Sequence, residues 1–88
     1  MAVDSFDIIK MPVVSEKTMR LIEEENKLVF YVHKKAKKED IKKAMSDLFN
    51  VEVEEINTMI TPKGEKKAYV KLKEEYNAGD IAANLGIY

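Results

Sequence analysis

The side chains able to do chemistry in this chain are almost all lysines and carboxylates. Cysteine is absent and His33 is the single histidine, so no thiolate or imidazole ligand set for a metal can be assembled. No cofactor and no metal are expected. His33 sits at the end of a strand pattern with no nucleophile motif beside it, and reads as a structural or surface residue. Gly64 and Gly79 stand alone rather than in a phosphate-cradling loop. The one arginine, Arg20, falls inside a helix pattern, not in the anion-binding loop that some ferredoxin-like acyl-phosphate hydrolases use. Glu23-Glu24-Glu25 and Glu54-Glu55 read as solvated faces or strand edges. An enzyme is not expected.

The lysines say more. The net charge is only −1, which taken alone argues against a nucleic-acid binder. Its distribution argues the other way. Residues 34–43 hold six lysines against Glu39 and Asp40, and residues 61–73 hold five against Glu65. The segments 1–9, 44–60 and 74–88 are negative. Charge sorted in this way gives a surface one positive side if the fold brings the two basic segments together. Lys34, Lys35, Lys37 and Lys38 crowd a strand-to-helix junction, where the helix dipole disfavours cations and free N–H groups favour an anion. A solvated helix start is the plain reading; a grip on backbone phosphate is the sharper one. The loop from Thr61 to Lys67, with Tyr69 and Lys71 behind it, is either a lysine-blunted hairpin or a second RNA contact.

These residues must be positioned by a small set of elements. With 88 residues there is room for one hydrophobic core, a single domain over 1–88. A short extended piece is expected around Phe6 to Lys10. Ser15 is a fit N-cap for a first helix running to about Glu25, with Val14 and Met19 placed for a hydrophobic staple and Asn26 as its stop. Leu28 to His33 reads as a strand apolar on both faces, hence a central strand with cover on each side. From Lys38 to Phe49, Ile41, Ala44, Met45, Leu48 and Phe49 make one stripe at the helical period. Val53–Thr61 and Lys67–Lys73 form a hairpin around Pro62 and Gly64. A last helix spans Asn77 to Leu85 and stops at Gly86. Placing the last strand between the other two gives an α+β fold, a split β-α-β or ferredoxin-like plait. Its sheet is mainly antiparallel, of three to four strands with flanking helices. The long helix lies on one face, the first and last helices on part of the other. Tyr31, Tyr69 and Lys71 then share a face.

The longest apolar run, Leu28–Val32, is far short of a membrane span. The first residues are acidic where a leader would be basic. No membrane insertion and a cytoplasmic location are therefore expected.

Taken in order, several stretches resemble the family of large-subunit ribosomal protein twenty-three, in its archaeal type. They are Pro12-Val13-Val14-Ser15-Glu16-Lys17, Asn26 to Val32, Ala36-Lys37-Lys38, Ile41 to Ala44, Phe49 to Val53, Ile56-Asn57-Thr58, Lys66 to Val70, Asp80-Ile81-Ala82 and Leu85-Gly86. The resemblance implies an antiparallel sheet with flanking helices, and binding of large-subunit rRNA beside the exit of the nascent-polypeptide tunnel. It implies ribosomal protein twenty-nine as a neighbour, and the signal recognition particle, chaperones or the translocon as docking factors. The factor dock would map to Val14, Ser15 and Glu16. The rRNA contacts would map to Lys34, Lys35, Lys37 and Lys38, to Asn57 and Thr58, and to Lys63, Lys66, Lys67, Tyr69 and Lys71. Away from the ribosome a monomer is expected. The chain departs from the family in being slightly acidic and in having a short hairpin loop, which removes the reach into the tunnel that bacterial members have.

Two other readings compete. One is a non-ribosomal plait serving as a regulatory or protein-interaction module. The other is a free single-strand RNA binder, weakened because Phe30 points to the core face and leaves only Tyr31 and Tyr69 to stack.

Overall fold

The computed structural model describes residues 5–87. Met1 to Asp4, on which the reading of the acidic start rests, lie outside the described residues. In chain order the elements are α1 (Ser5–Ile8), β1 (Ile9–Pro12), α2 (Glu16–Glu25), β2 (Lys27–Val32), α3 (Lys38–Phe49), β3 (Val53–Ile60), β4 (Lys66–Leu72) and α4 (Ala78–Asn84). The extended piece therefore starts later than expected. One helical turn occupies Ser5–Ile8, and the strand follows it.

The four strands make one sheet in the order β1-β2-β4-β3, with every neighbouring pair antiparallel. β4 is thus inserted between β2 and β3, which α3 connects, and the split β-α-β unit is formed. The register sorts the side chains by the two-residue period. Leu28, Val70 and Ile56 share one face with Phe30 and Ala68; Tyr31, Lys67 and Met59 share the other with Val29, Tyr69 and Asn57.

Among the described residues, helices cover only the first of these faces. Ile22 of α2, Ile41 and Met45 of α3, and Ile81 and Ala82 of α4 join Leu28, Phe30, Val32, Val70 and Leu72 in one buried cluster. The Phe30 and Phe49 rings stack within it, centroids 5.9 Å apart. No residue of the opposite face belongs to this cluster. This corrects the expectation of cover on both sides. Val29 is buried, but it lies outside that cluster, with Tyr69 paired across from it. An apolar residue in mid-sheet can be hidden by its neighbours in the strands, so the apolar count on a strand does not reveal a second helical layer.

The helix ends follow local chemistry. Ser15 caps α2: its Oγ accepts from the Thr18 N–H at 3.2 Å, and the Thr18 hydroxyl oxygen accepts from the Ser15 N–H at 2.8 Å. Val14 stays 55% exposed, so the expected staple hides little of it. α3 begins where Asp40 accepts from the Lys37 N–H at 2.8 Å. α4 ends in a Schellman motif, with Gly86 at φ 77° and the Ile87 N–H bonded to the Ala82 carbonyl at 3.0 Å.

Asn26 does more than stop α2. At φ 56° its side chain donates to the Tyr76 carbonyl at 2.9 Å and accepts from the Ala78 N–H at 2.7 Å. One amide thereby ties the end of α2 to the start of α4. The spacing of residues 26 and 78 in the chain hides this contact.

Candidate nucleic-acid interface

The turn after β2 and the β3–β4 loop are far apart in sequence, yet β2 and β4 are paired, so both lie at one end of the sheet. Val32 pairs with Lys66 at that end. The Lys66 ammonium donates to the Ala36 carbonyl at 2.7 Å, fastening β4 to the turn. Lys34 Nζ lies 3.7 Å from where a β-carbon on Gly64 would stand. The two basic segments therefore meet in one patch, the condition that the charge pattern had left to the fold.

Each segment is shaped locally. In the hairpin loop the Gly64 N–H bonds the Thr61 carbonyl at 2.8 Å and the Thr61 N–H bonds the Glu65 carbonyl at 2.7 Å. Pro62 suits the second place of that turn, and Gly64 takes φ 84°. In the other segment, Lys35 donates its N–H to His33 Nδ1 at 3.1 Å. His33 shapes the basic turn, the structural role expected of it. Lys34, Lys35, Lys37, Lys38 and Lys63 are exposed. None of them forms an ion pair among the described residues.

The open sheet face continues from this end. Lys67 holds its ammonium 5.7 Å from the centre of the Tyr31 ring, a cation–π contact that leaves its charge without a carboxylate. Tyr69 and Asn57 follow one row further along, so Tyr31, Tyr69 and Lys71 do share a face. Asn57 donates to Glu55 at 3.0 Å. Thr58 points to the opposite side, in the row of Phe30 and Ala68. Asn57 and Thr58 thus cannot serve one contact on one face. Lys66 also stands in a core-face row, and its ammonium gives one of its three donors to the Ala36 carbonyl. Lys71 lies 3.7 Å from Glu54.

One lysine escaped the sequence reading. Lys10 falls where the pairing of β1 with β2 shifts between Ile9 and Met11, and it lines a small cavity with Lys34 and Lys66. No feature of the Ile9-Lys10-Met11 string marks a bulge.

At the start of α2, Val14 and Glu16 are exposed while the Ser15 hydroxyl is engaged in the cap. Among the described residues Glu16 pairs with Arg20, at 3.5 Å, on an exposed face. Among the described residues no group of acidic and imidazole side chains is arranged to hold a metal ion, and no helix is long and apolar enough to cross a membrane.

Comparison with known proteins agrees with the resemblance in the motifs. A family model described as ribosomal protein L23 matches residues 7–79. The chain is 73% identical over 85 residues to the large ribosomal subunit protein uL23 of Methanococcus vannielii, and 71% identical over 85 residues to that of Methanococcus aeolicus. Each alignment covers 97% of this chain and 99% of the relative. With the family model spanning most of its length and relatives this similar from end to end, the chain belongs to the ribosomal protein L23 family.

Proposed function

We propose that the chain is a structural protein of the large ribosomal subunit, holding large-subunit rRNA with its basic end beside the polypeptide exit tunnel. The observation that carries this reading is the union of the 34–38 turn with the 61–67 loop, through Lys66 on Ala36 and Lys34 beside Gly64. A compact group of unpaired ammonium groups binds phosphates by releasing their counterions, whatever the net charge of the whole chain. The relatives' designation as large-subunit proteins supports the same reading. Lys34, Lys35, Lys37, Lys38, Lys63 and Lys67 supply the charge; Tyr69 and Asn57 extend the contact along the open face.

Val14 and Glu16 are exposed at the start of α2, and they form the dock for exit-site factors: the signal recognition particle, a chaperone or the translocon. Ser15 holds their backbone in place. Ribosomal protein twenty-nine is the expected neighbour. The assembled subunit puts the protein in the cytoplasm, and its work there is scaffolding rather than catalysis.

The test is binding of the purified chain to a large-subunit rRNA fragment across a salt series, paired with co-sedimentation on ribosomes. A steep loss of affinity with salt supports the reading. Absence of RNA binding by the folded chain, together with a stable homodimer and no co-sedimentation, would establish the interaction-module reading instead. For the dock, Glu16→Ala should reduce factor recruitment to intact ribosomes, and unchanged recruitment would remove that half.

A further inference from the structure

Between the bulge of β1 and the start of β4 lies a partly enclosed cavity of about 80 Å³, lined by Lys10, Tyr31, Val32, Lys34, Glu65 and Lys66. Three lysines and one glutamate stand around it, so the residues that line it carry a net positive charge. The volume is too small for a nucleoside and suits a phosphate group. Its three lysines come from three separate elements. Lys10 belongs to the β1 bulge, Lys34 to the turn after β2, and Lys66 opens β4. Lys66 is already fixed by the Ala36 carbonyl. A donor held in place before its ligand arrives loses little freedom on binding.

We propose that this cavity seats one backbone phosphate of the bound RNA and so sets the register of the strand on the basic end. The inference rests on the RNA-binding reading above and adds Lys10 and the cavity to it. Exposed lysines such as Lys35 or Lys63 can follow a phosphate anywhere nearby. A walled site fed from three elements accepts an oxyanion at one place only. Glu65 opposes the anion from the loop side. Its backbone is pinned in the turn by Thr61, through the bond from the Glu65 N–H to Thr61 Oγ1 at 3.1 Å, so its side chain can be changed without unmaking the loop.

The test measures affinity for a large-subunit rRNA fragment against salt, for the wild-type chain, Lys10→Gln, Glu65→Gln and, as a control on α2, Lys17→Gln. Lys10→Gln should make the log–log salt slope shallower by about 0.7–0.9, the loss of one phosphate contact. Glu65→Gln should change affinity the other way, about threefold tighter at low salt. Lys17→Gln should do neither. Exchanging chloride for inorganic phosphate at fixed ionic strength should leave wild-type RNA affinity within about twofold, because the RNA strand holds its phosphate in place through its other contacts. Competition by free phosphate would overturn the assignment to RNA. A Lys10→Gln slope equal to that of Lys17→Gln would overturn the seat while leaving RNA binding intact. A wild-type chain with no salt-dependent binding would instead remove the functional reading itself.

Discussion

The two ends of the sheet carry lysines of opposite fate. Where β2 begins and β4 ends, Lys27 lies 3.3 Å from Glu25, Lys71 lies 3.7 Å from Glu54 and Lys73 lies 3.2 Å from Glu52. Where β2 ends and β4 begins, Lys34, Lys35, Lys37, Lys38, Lys63 and Lys67 have no carboxylate partner among the described residues. The same residue type neutralises acids at one end and remains available to an outside anion at the other. A chain of net charge −1 is compatible with a nucleic-acid grip because binding depends on charges left unpaired at one place.

The strongest way to break this contrast is to neutralise each end separately. Changing Lys34, Lys35, Lys37 and Lys38 to Gln should flatten the salt slope of rRNA binding by about 3 and lower affinity on the order of a thousandfold at low salt. The fold should survive, because lysines beside a helix N-terminus oppose the dipole. Changing Lys27, Lys71 and Lys73 to Gln should cost far less affinity. Equal losses in filter binding from the two variants would show that total charge, not its placement, governs the contact.

The two faces of the sheet invite the same treatment in stability. Phe30 is 1% exposed and stacked on Phe49, so Phe30→Ala should cost about 3–5 kcal/mol in urea unfolding. Tyr69, on the uncovered face, should cost under about 1 kcal/mol when changed to Ala. A large loss at Tyr69 would mean that the open face carries packing weight, contrary to the single buried cluster.

How far the sequence revealed this layout depends on how local each signal was. The α3 stripe from Ile41 to Phe49, the Ser15 cap and the Gly86 stop are written in neighbouring residues, and all were legible. The insertion of β4 between β2 and β3 followed from connection rules. Cover on one face only was not legible, because Val29 and Phe30 look alike in composition while different neighbours bury them. The Lys10 bulge and the Asn26 clasp depend on a partner strand or loop many residues away, for which no periodicity exists. Asn57 and Thr58, to both of which the family resemblance assigns rRNA contacts, show the reverse case: the two-residue period already puts them on opposite faces of β3.

Asn26 gives the next test, since it belongs to neither end's charge. Asn26→Ala removes the bonds to Tyr76 and Ala78 and leaves a β-carbon-bearing residue at φ 56°. The expected loss is about 1–3 kcal/mol, with α4 amides exchanging faster than those of α3 by hydrogen exchange. Uniform acceleration in both helices would deny the local clasp.

The smallest effect lies in the paired end itself. Glu52 accepts from Lys73 at 3.2 Å and from the Tyr76 hydroxyl at 3.2 Å. The Lys73 and Tyr76 hydrogen bonds hold the Glu52 carboxyl below the usual carboxylate range, and Glu52 in turn raises both Lys73 and Tyr76 above theirs. A carboxyl depressed in the folded state stabilises fully above its unfolded value, and that contribution fades as pH falls through the folded one. For Lys73 and Tyr76, both raised, the contribution is full below their unfolded values and fades as pH rises through the folded ones. The cluster therefore stabilises across neutral pH and weakens at both extremes. All three groups are solvated, so the effect is small. Melting temperature against pH for the wild type and Glu52→Gln should show a gap at neutral pH that narrows toward acid and toward strong alkali. A gap of constant size would mean that Glu52 acts without Lys73 and Tyr76, and the contrast between the ends would then rest on Lys27 and Lys71 alone.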